Sequence, residues 1–322
     1  FSQPHREYTF FTNIMGFILS RFNNFEVVFF ITYILFSFLL FWSISKITFS
    51  LFNNLKVVFL VLLLSAKPLI VAGTETLTYE IYTHPRLIVM AISLFSLYLF
   101  IEDKYTLSLC LMAIGFLIHP ITIIGPLISL FLYLIFKKEI RLFLKLLFIF
   151  LSISSPLIYK FLNKADNLYF FINPIHLYIV RYIAKKSYLF PLDWGRFYWL
   201  NLIIFLILFF YIILIKKYKF TFTEKDRKVI LLVSIAFFLL FLAILFTEVM
   251  PIIFLIQLQL GRNLYILYWL FIIYFAFFLW IIFKNENYLN KLLVIFIISN
   301  FLVGLRYILI KVIVLFVLVI HF

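Results

Sequence analysis

The chain has 322 residues, 66% of them hydrophobic, with a mean hydropathy of +1.17 and a formal net charge of +15. A soluble domain of this size has too little interior to hide so much apolar side chain, so a water-soluble globular protein is excluded. The cations sit mostly in short loops between apolar runs, which marks them as a topology signal and argues against nucleic acid as a partner.

Runs such as Phe25–Ile44 and Leu264–Phe283 are long enough to cross a hydrocarbon core of about 30 Å as helices of about 20 residues. They do not alternate apolar with polar residues, as barrel strands would. In chain order the predicted apolar segments are 26–45, 55–73, 85–101, 106–118, 121–136, 141–159, 198–215, 229–247 and 264–283, followed by 292–322 as one tilted helix or two short ones. The expected fold is all-α, a polytopic transmembrane helical bundle of about 10–11 helices. No linker composition and no internal repeat divides the chain, so residues 1–322 are expected to form a single integral membrane domain. The sequence opens on Phe1 and not on Met, which reads as a fragment lacking an N-terminal helix. The abundance of Phe and Tyr against few Gly and Pro reads as A/T-rich codon usage, and Cys110, alone in an apolar run, reads as a packing residue.

The cations alternate with the segments. Lys46, Lys56, Lys104, the 137–145 cluster, the 216–228 cluster, Lys284 and Lys291 fall in or beside every second loop. Helix parity puts them on one side, which the positive-inside rule makes cytoplasmic. The parity requires 106–136 to be two short helices. The opposite face then collects Glu7, the 74–86 loop, His119-Pro120, the 160–197 loop and the 248–263 segment.

Three polar signatures on that face carry the chemistry. His84-Pro85-Arg86 opens a helix, where Pro suits the first turn. It is either a helix start with a snorkelling arginine or an anion site built from a helix N-terminus, a cation and a histidine. His119-Pro120 breaks an apolar stretch, so its histidine belongs to a hydrogen-bonded turn or a polar cavity. Gly261-Arg262-Asn263 places an arginine able to grip a phosphate bidentately, or to snorkel. Lys67-Pro68 suggests a kink whose lysine points into a cavity. Among outer-face carboxylates Glu7 is the leading general base, with Glu75, Glu80 and Asp193 as rivals. The aromatic, basic stretch 172–197 reads as an interfacial piece lying on the membrane. There is no P-loop, HExxH, GxSxG or dinucleotide fingerprint, and no metal or cofactor site is expected.

Thr83-His84-Pro85-Arg86, the turn Glu102-Asp103-Lys104, Gly115-Phe116-Leu117-Ile118-His119-Pro120, the Arg181…Phe190-Pro191-Leu192-Asp193-Trp194 stretch and Gln259-Leu260-Gly261-Arg262 together resemble bacterial polytopic membrane proteins related to the GT-C glycosyltransferases. The resemblance covers roughly residues 1–280. It implies a GT-C-like bundle in the bacterial inner membrane, with a non-cytoplasmic active site and a polyprenyl-phosphate-linked sugar as donor. A carboxylate in the first external loop would be the general base. Glu7 is the residue that matches, where no aspartate stands. The expectation is a catalytic Glu7, with His84, Arg86, His119 and Arg262 binding substrate, and membrane lipids and a lipid-linked sugar as partners. The alternative, from another class, is a non-catalytic membrane complex subunit or a lipid or solute transporter. An enzyme would gather these residues around a cavity of several hundred Å3.

Overall fold

The computed structural model describes residues 9–22, 24–162, 174–183, 186–284 and 287–303. Among them the chain is all-α, and Ile70 and Leu77 make an isolated bridge without forming a strand. The longer helices are α1 (Phe11–Arg21), α2 (Phe25–Phe52), α3 (Leu55–Leu64), α4 (Pro85–Ile101), α5 (Tyr105–Ile118), α6 (Pro120–Phe136), α7 (Ile140–Leu162), α8 (Arg196–Lys219), α9 (Glu224–Ile244), α10 (Leu264–Lys284) and α11 (Tyr288–Val303). Five stretches, Phe25–Phe52, Ile140–Lys160, Arg196–Lys219, Glu224–Val249 and Leu255–Lys284, are long and apolar enough to cross a membrane. The chain is an integral membrane protein with a helical-bundle fold.

Local chemistry sets several of the helix ends. Asn53 closes α2 in the left-handed region at φ 46°, and Asn54 caps α3 by accepting from the backbone of Lys56 and Val57. Thr223 and Asp226 form a reciprocal capping box at the start of α9. His119 ends α5 and Pro120 begins α6.

The α5–α6 pair is an antiparallel hairpin. Tyr105 at the start of α5 and Tyr133 near the end of α6 lie 5.9 Å apart by ring centroid, while the Cβ direction of Gly115 faces Ile123 across the turn. The segment 106–136 is thus two helices, as the parity argument requires.

The turns accordingly sort to two ends. At the basic end Lys216 reaches Leu51 O, Lys225 reaches Glu102, Lys228 reaches Asp103, Lys137 pairs with Glu224, and Lys56 lies over the Trp280 ring. At the other end Phe10 N–H donates to Leu117 O, Thr83 to Phe29 O and Trp269 to Thr78 O. This second end, where acids and bases are mixed, holds all three signatures. The central element is α10, buried on nearly every side and packed against α3, α8, α9 and α11.

Three expectations change. The helix expected over 55–73 stops at Leu64, because Pro68 has no N–H to donate back and disfavours helical backbone at the residue before it. Lys67 therefore sits exposed on an irregular segment and does not point into a cavity from a kinked helix. Helix α1, which buries Met15, is not among the predicted apolar segments. Tyr288–Val303 is one continuous helix, while residues 304–322 lie outside the described part.

Candidate functional site

The mixed end is floored by the segment 65–84, an unusual run of irregular backbone in so apolar a protein. It is hung on α10 by two side chains: Tyr268 OH accepts from Ala72 N–H at 2.9 Å and Trp269 Nε1 donates to Thr78 O at 3.0 Å. Thr74, Thr76 and Thr78 are buried in it, with Thr74 and Thr76 hydroxyls 2.6 Å apart. Irregular backbone inside a bundle persists only where protein or a polar cavity satisfies it, and this anchoring meets that demand.

The segment delivers Glu80 to Arg86. His84 has extended backbone and caps α4, and its Nδ1 accepts from both the backbone N–H and the Nε–H of Arg86 at 3.2 Å. An accepting Nδ1 carries no proton, so the neutral ring keeps its proton on Nε2. Arg86 Nε also lies 3.1 Å from Glu80 Oε1, but its N–H is aimed at His84. Glu80 is 3% exposed, and Oε1 accepts no hydrogen bond from any described residue. Burial pushes the Glu80 carboxyl up, against the downward pull of Arg86 and then Arg262.

Asn263 couples the other two signatures. It is fully buried, accepts from Gly125 N–H at 2.9 Å and donates to Ile121 O at 3.4 Å, so it grips the first turns of α6. Gly125 permits this grip, since a Cβ there would lie 2.7 Å from Asn263 Oδ1. Tyr265 adds a bond to Thr122 O at 3.1 Å and another to Ser93 of α4 at 2.5 Å. His119 sits inside this knot, 6% exposed, with Nδ1 2.9 Å from Thr122 Oγ1. The structure thus gives His119 the hydrogen-bonded turn that was one of its two readings.

Arg262 projects from the 3-10 turn Leu260–Asn263, which follows Gln259 at φ 46°. Its guanidinium lies 4.9 Å from the Tyr188 ring centroid, within electrostatic reach of Arg86, Glu75 and Glu80, and its buried Nε has no partner. Trp194 wedges between two glycines at this level. A Cβ on Gly73 would lie 2.2 Å from the indole, and one on Gly261 would lie 3.4 Å from it. Arg181 holds the wedge's segment down, donating to Asp193 at 2.5 and 2.6 Å and to Glu248 at 2.8 Å. Beside Trp194 opens a cleft of about 310 Å3, lined by Glu75, Asp193 and Tyr198 among others.

Compared with protein-family models, with curated proteins and with solved structures, the chain matches none of them.

His84, Arg86 and Arg262 of the expected site therefore share one end and one polar cluster, with Arg86 and Arg262 close enough to repel. None of His84, Arg86, His119 and Arg262 lines the 310 Å3 cleft, whose walls come from segments 70–77 and 193–198, and His119 is held in the supporting turn. Glu7 lies outside the described residues. Among the described residues, six buried side-chain polar atoms have no hydrogen-bond partner, and five of them, on Glu80, Trp194, Glu248, Gln259 and Arg262, lie at this end. Two N–H donors and three carbonyl or carboxylate oxygens left open together are what a polar ligand would satisfy. No group of three metal-ligating side chains occurs among the described residues.

Two expected outcomes follow from this geometry. Gly73→Ala drives a methyl into the Trp194 indole, so backbone and ring must part. We expect a loss of about 1–3 kcal/mol, read as a lower thermal midpoint in detergent. Serine at Gly195, where the nearest contact is 3.8 Å away, serves as the tolerated comparison. For Glu80, a folded-state value above the ordinary 4.5 means that folding takes up a proton in the interval between the two. This group's contribution to stability therefore falls as pH rises through that interval. Glu80→Gln should flatten that limb of the pH–stability profile, and an unchanged slope would show that Glu80 is not its source.

Proposed function

We propose that the protein is a membrane-embedded, GT-C-like glycosyltransferase of the bacterial inner membrane, using a polyprenyl-phosphate-linked sugar on the face opposite the basic loops. One observation carries the reading. Arg86, 3.1 Å from the buried Glu80 carboxylate, and Arg262, 176 positions away in the sequence with a buried Nε–H lacking a hydrogen-bond partner, both act electrostatically on Glu80. Glu80 offsets one of the two charges, and the second cation is left to hold a further anion.

In this reading the two guanidiniums hold the donor phosphate. The acceptor hydroxyl attacks the anomeric carbon, the bond from that carbon to the phosphate oxygen breaks, and the lipid phosphate leaves with the bonding pair. The hydroxyl proton passes to a carboxylate. Glu80 is the described residue suited to that role, since a carboxyl raised by burial is a stronger base than an exposed one. Fixed positive charge in a low-dielectric site favours the departing phosphate more than water would. His84 orients Arg86 through its Nδ1.

The test is a titration of the purified protein with polyprenyl phosphate, followed by tryptophan fluorescence because Trp194 stands at the site. Saturable binding that Arg86→Gln and Arg262→Gln each weaken is expected. Wild-type protein that does not bind the lipid phosphate would overturn the proposal. Release of lipid phosphate from lipid-linked sugars, followed by mass spectrometry, then identifies the donor.

A further inference from the structure

The basic end carries a second, separate cleft of about 460 Å3 between α8 and α9. Its walls are two helical stripes, joined at the basic end by Phe222 of the turn between them. Phe210, Ile213, Leu214 and Lys217 follow one another at three- and four-residue spacing along α8, and Arg227 and Ile230 do so along α9. Each stripe is apolar toward the bundle middle and ends in a cation at the basic end. Phe210 and Leu214 are 43% and 49% exposed, on a surface that in a membrane faces acyl chains. The order along the groove, apolar wall and then positive charge, matches that of an anionic phospholipid lying beside the protein.

The charges are available. The neighbouring carboxylates are already engaged: Asp226 by Lys216, Glu102 by Lys225, Asp103 by Lys228, and Glu224 by Lys137 and Arg227. Lys217 is left as an exposed cation among satisfied acids. Arg227 gives one Nη to Glu224 at 3.1 Å and is 69% exposed, so the rest of its fork faces outward. We propose that this groove is a binding site for one anionic phospholipid, whose phosphate lies between Lys217 and Arg227 and whose acyl chain runs along Phe210 and Leu214. Juxtamembrane cations contribute about 1 kcal/mol each to such attraction.

The test titrates short-chain phosphatidylglycerol into detergent-solubilised protein and reads the thermal midpoint. Wild-type protein is expected to show a saturable upward shift. Lys217→Gln with Arg227→Gln weakens the apparent affinity about 30-fold, the loss of two such contacts. Lys217→Arg, which keeps the charge, retains the shift. Lys104→Gln with Lys145→Gln, at the same end but outside the groove, also retains it. Short-chain phosphatidylcholine and inorganic phosphate at matched concentration produce none. Three results would each overturn the proposal: equal shifts with phosphatidylcholine, a shift with free phosphate alone, or equal weakening in the two double variants, which would reduce the effect to diffuse surface charge.

Discussion

Asp226→Ala is expected to be the most destabilising single substitution at the basic end, by about 3–5 kcal/mol, because it strands a buried ammonium. Asp226 is fully buried and accepts from four donors: Lys216 Nζ at 2.5 Å, Tyr274 OH at 2.6 Å, Thr223 N–H at 2.8 Å and Thr223 Oγ1 at 2.9 Å. Removing it leaves Lys216 with Leu51 O at 3.3 Å and the faces of Phe52 and Tyr274. It also opens the capping box of α9, a loss of about 1 kcal/mol. The reciprocal change, Lys216→Met, removes the charge along with its need for a partner and should cost less than Asp226→Ala. Combining the two should recover part of the loss, since no ammonium remains to be stranded. A double-mutant cycle on thermal or denaturant unfolding measures that coupling, and strict additivity would show that the pair does not interact.

Arg262→Met should separate stability from function. The arginine makes no ion pair within 4 Å to any described carboxylate, and its Nε is buried without an acceptor. Apolar replacement relieves that desolvation, so the unfolding midpoint should stay level or rise. On the proposed function, turnover of a lipid-linked sugar should nonetheless fall by about 10²–10³-fold, the usual effect of removing one fixed donor to a developing anion. Arg86→Met should be equally inactive but less stable, because it leaves Glu80 buried beside no pairing cation and His84 Nδ1 without its second donor. Full activity in a well-folded Arg262→Met protein would remove the phosphate role from this residue.

What the sequence made legible follows from where the physics is local. Helix α4 begins at Pro85 and ends at Ile101 as predicted, since a proline at the first turn and a charged turn behind Ile101 are sequence features. The alternation of cations gave the two ends correctly, because short loops obey a local charge rule. The end of α3 was missed because Leu69-Ile70-Val71-Ala72 is as apolar as a helix. Those residues are apolar because the irregular segment is packed against α10, and hydropathy does not distinguish the two cases. Glu80 was one of several rival carboxylates, and nothing near it in sequence marks it as the buried one. Its burial depends on Trp269 and Tyr268, almost 190 positions away, holding the segment in place. The Trp194 wedge was likewise hidden: its two receiving glycines, Gly73 and Gly261, meet only in three dimensions.

The unequal helix lengths have a consequence for how a substrate arrives. At a rise of 1.5 Å per residue, the 14 residues of α5 span about 21 Å and the 17 of α4 about 25 Å, whereas the 28 of α2 reach about 42 Å. Measured from the basic turns, the His119 knot and the His84 cap thus stop short of the far side of a hydrocarbon layer about 30 Å thick. Arg86, in the first turn of α4, stands at that level, and Thr83 beside it bonds to Phe29 O, so α2 rises about one turn beyond it. On the proposed function, a donor tethered to an isoprenoid tail would reach Arg86 from the side, its tail staying in the lipid.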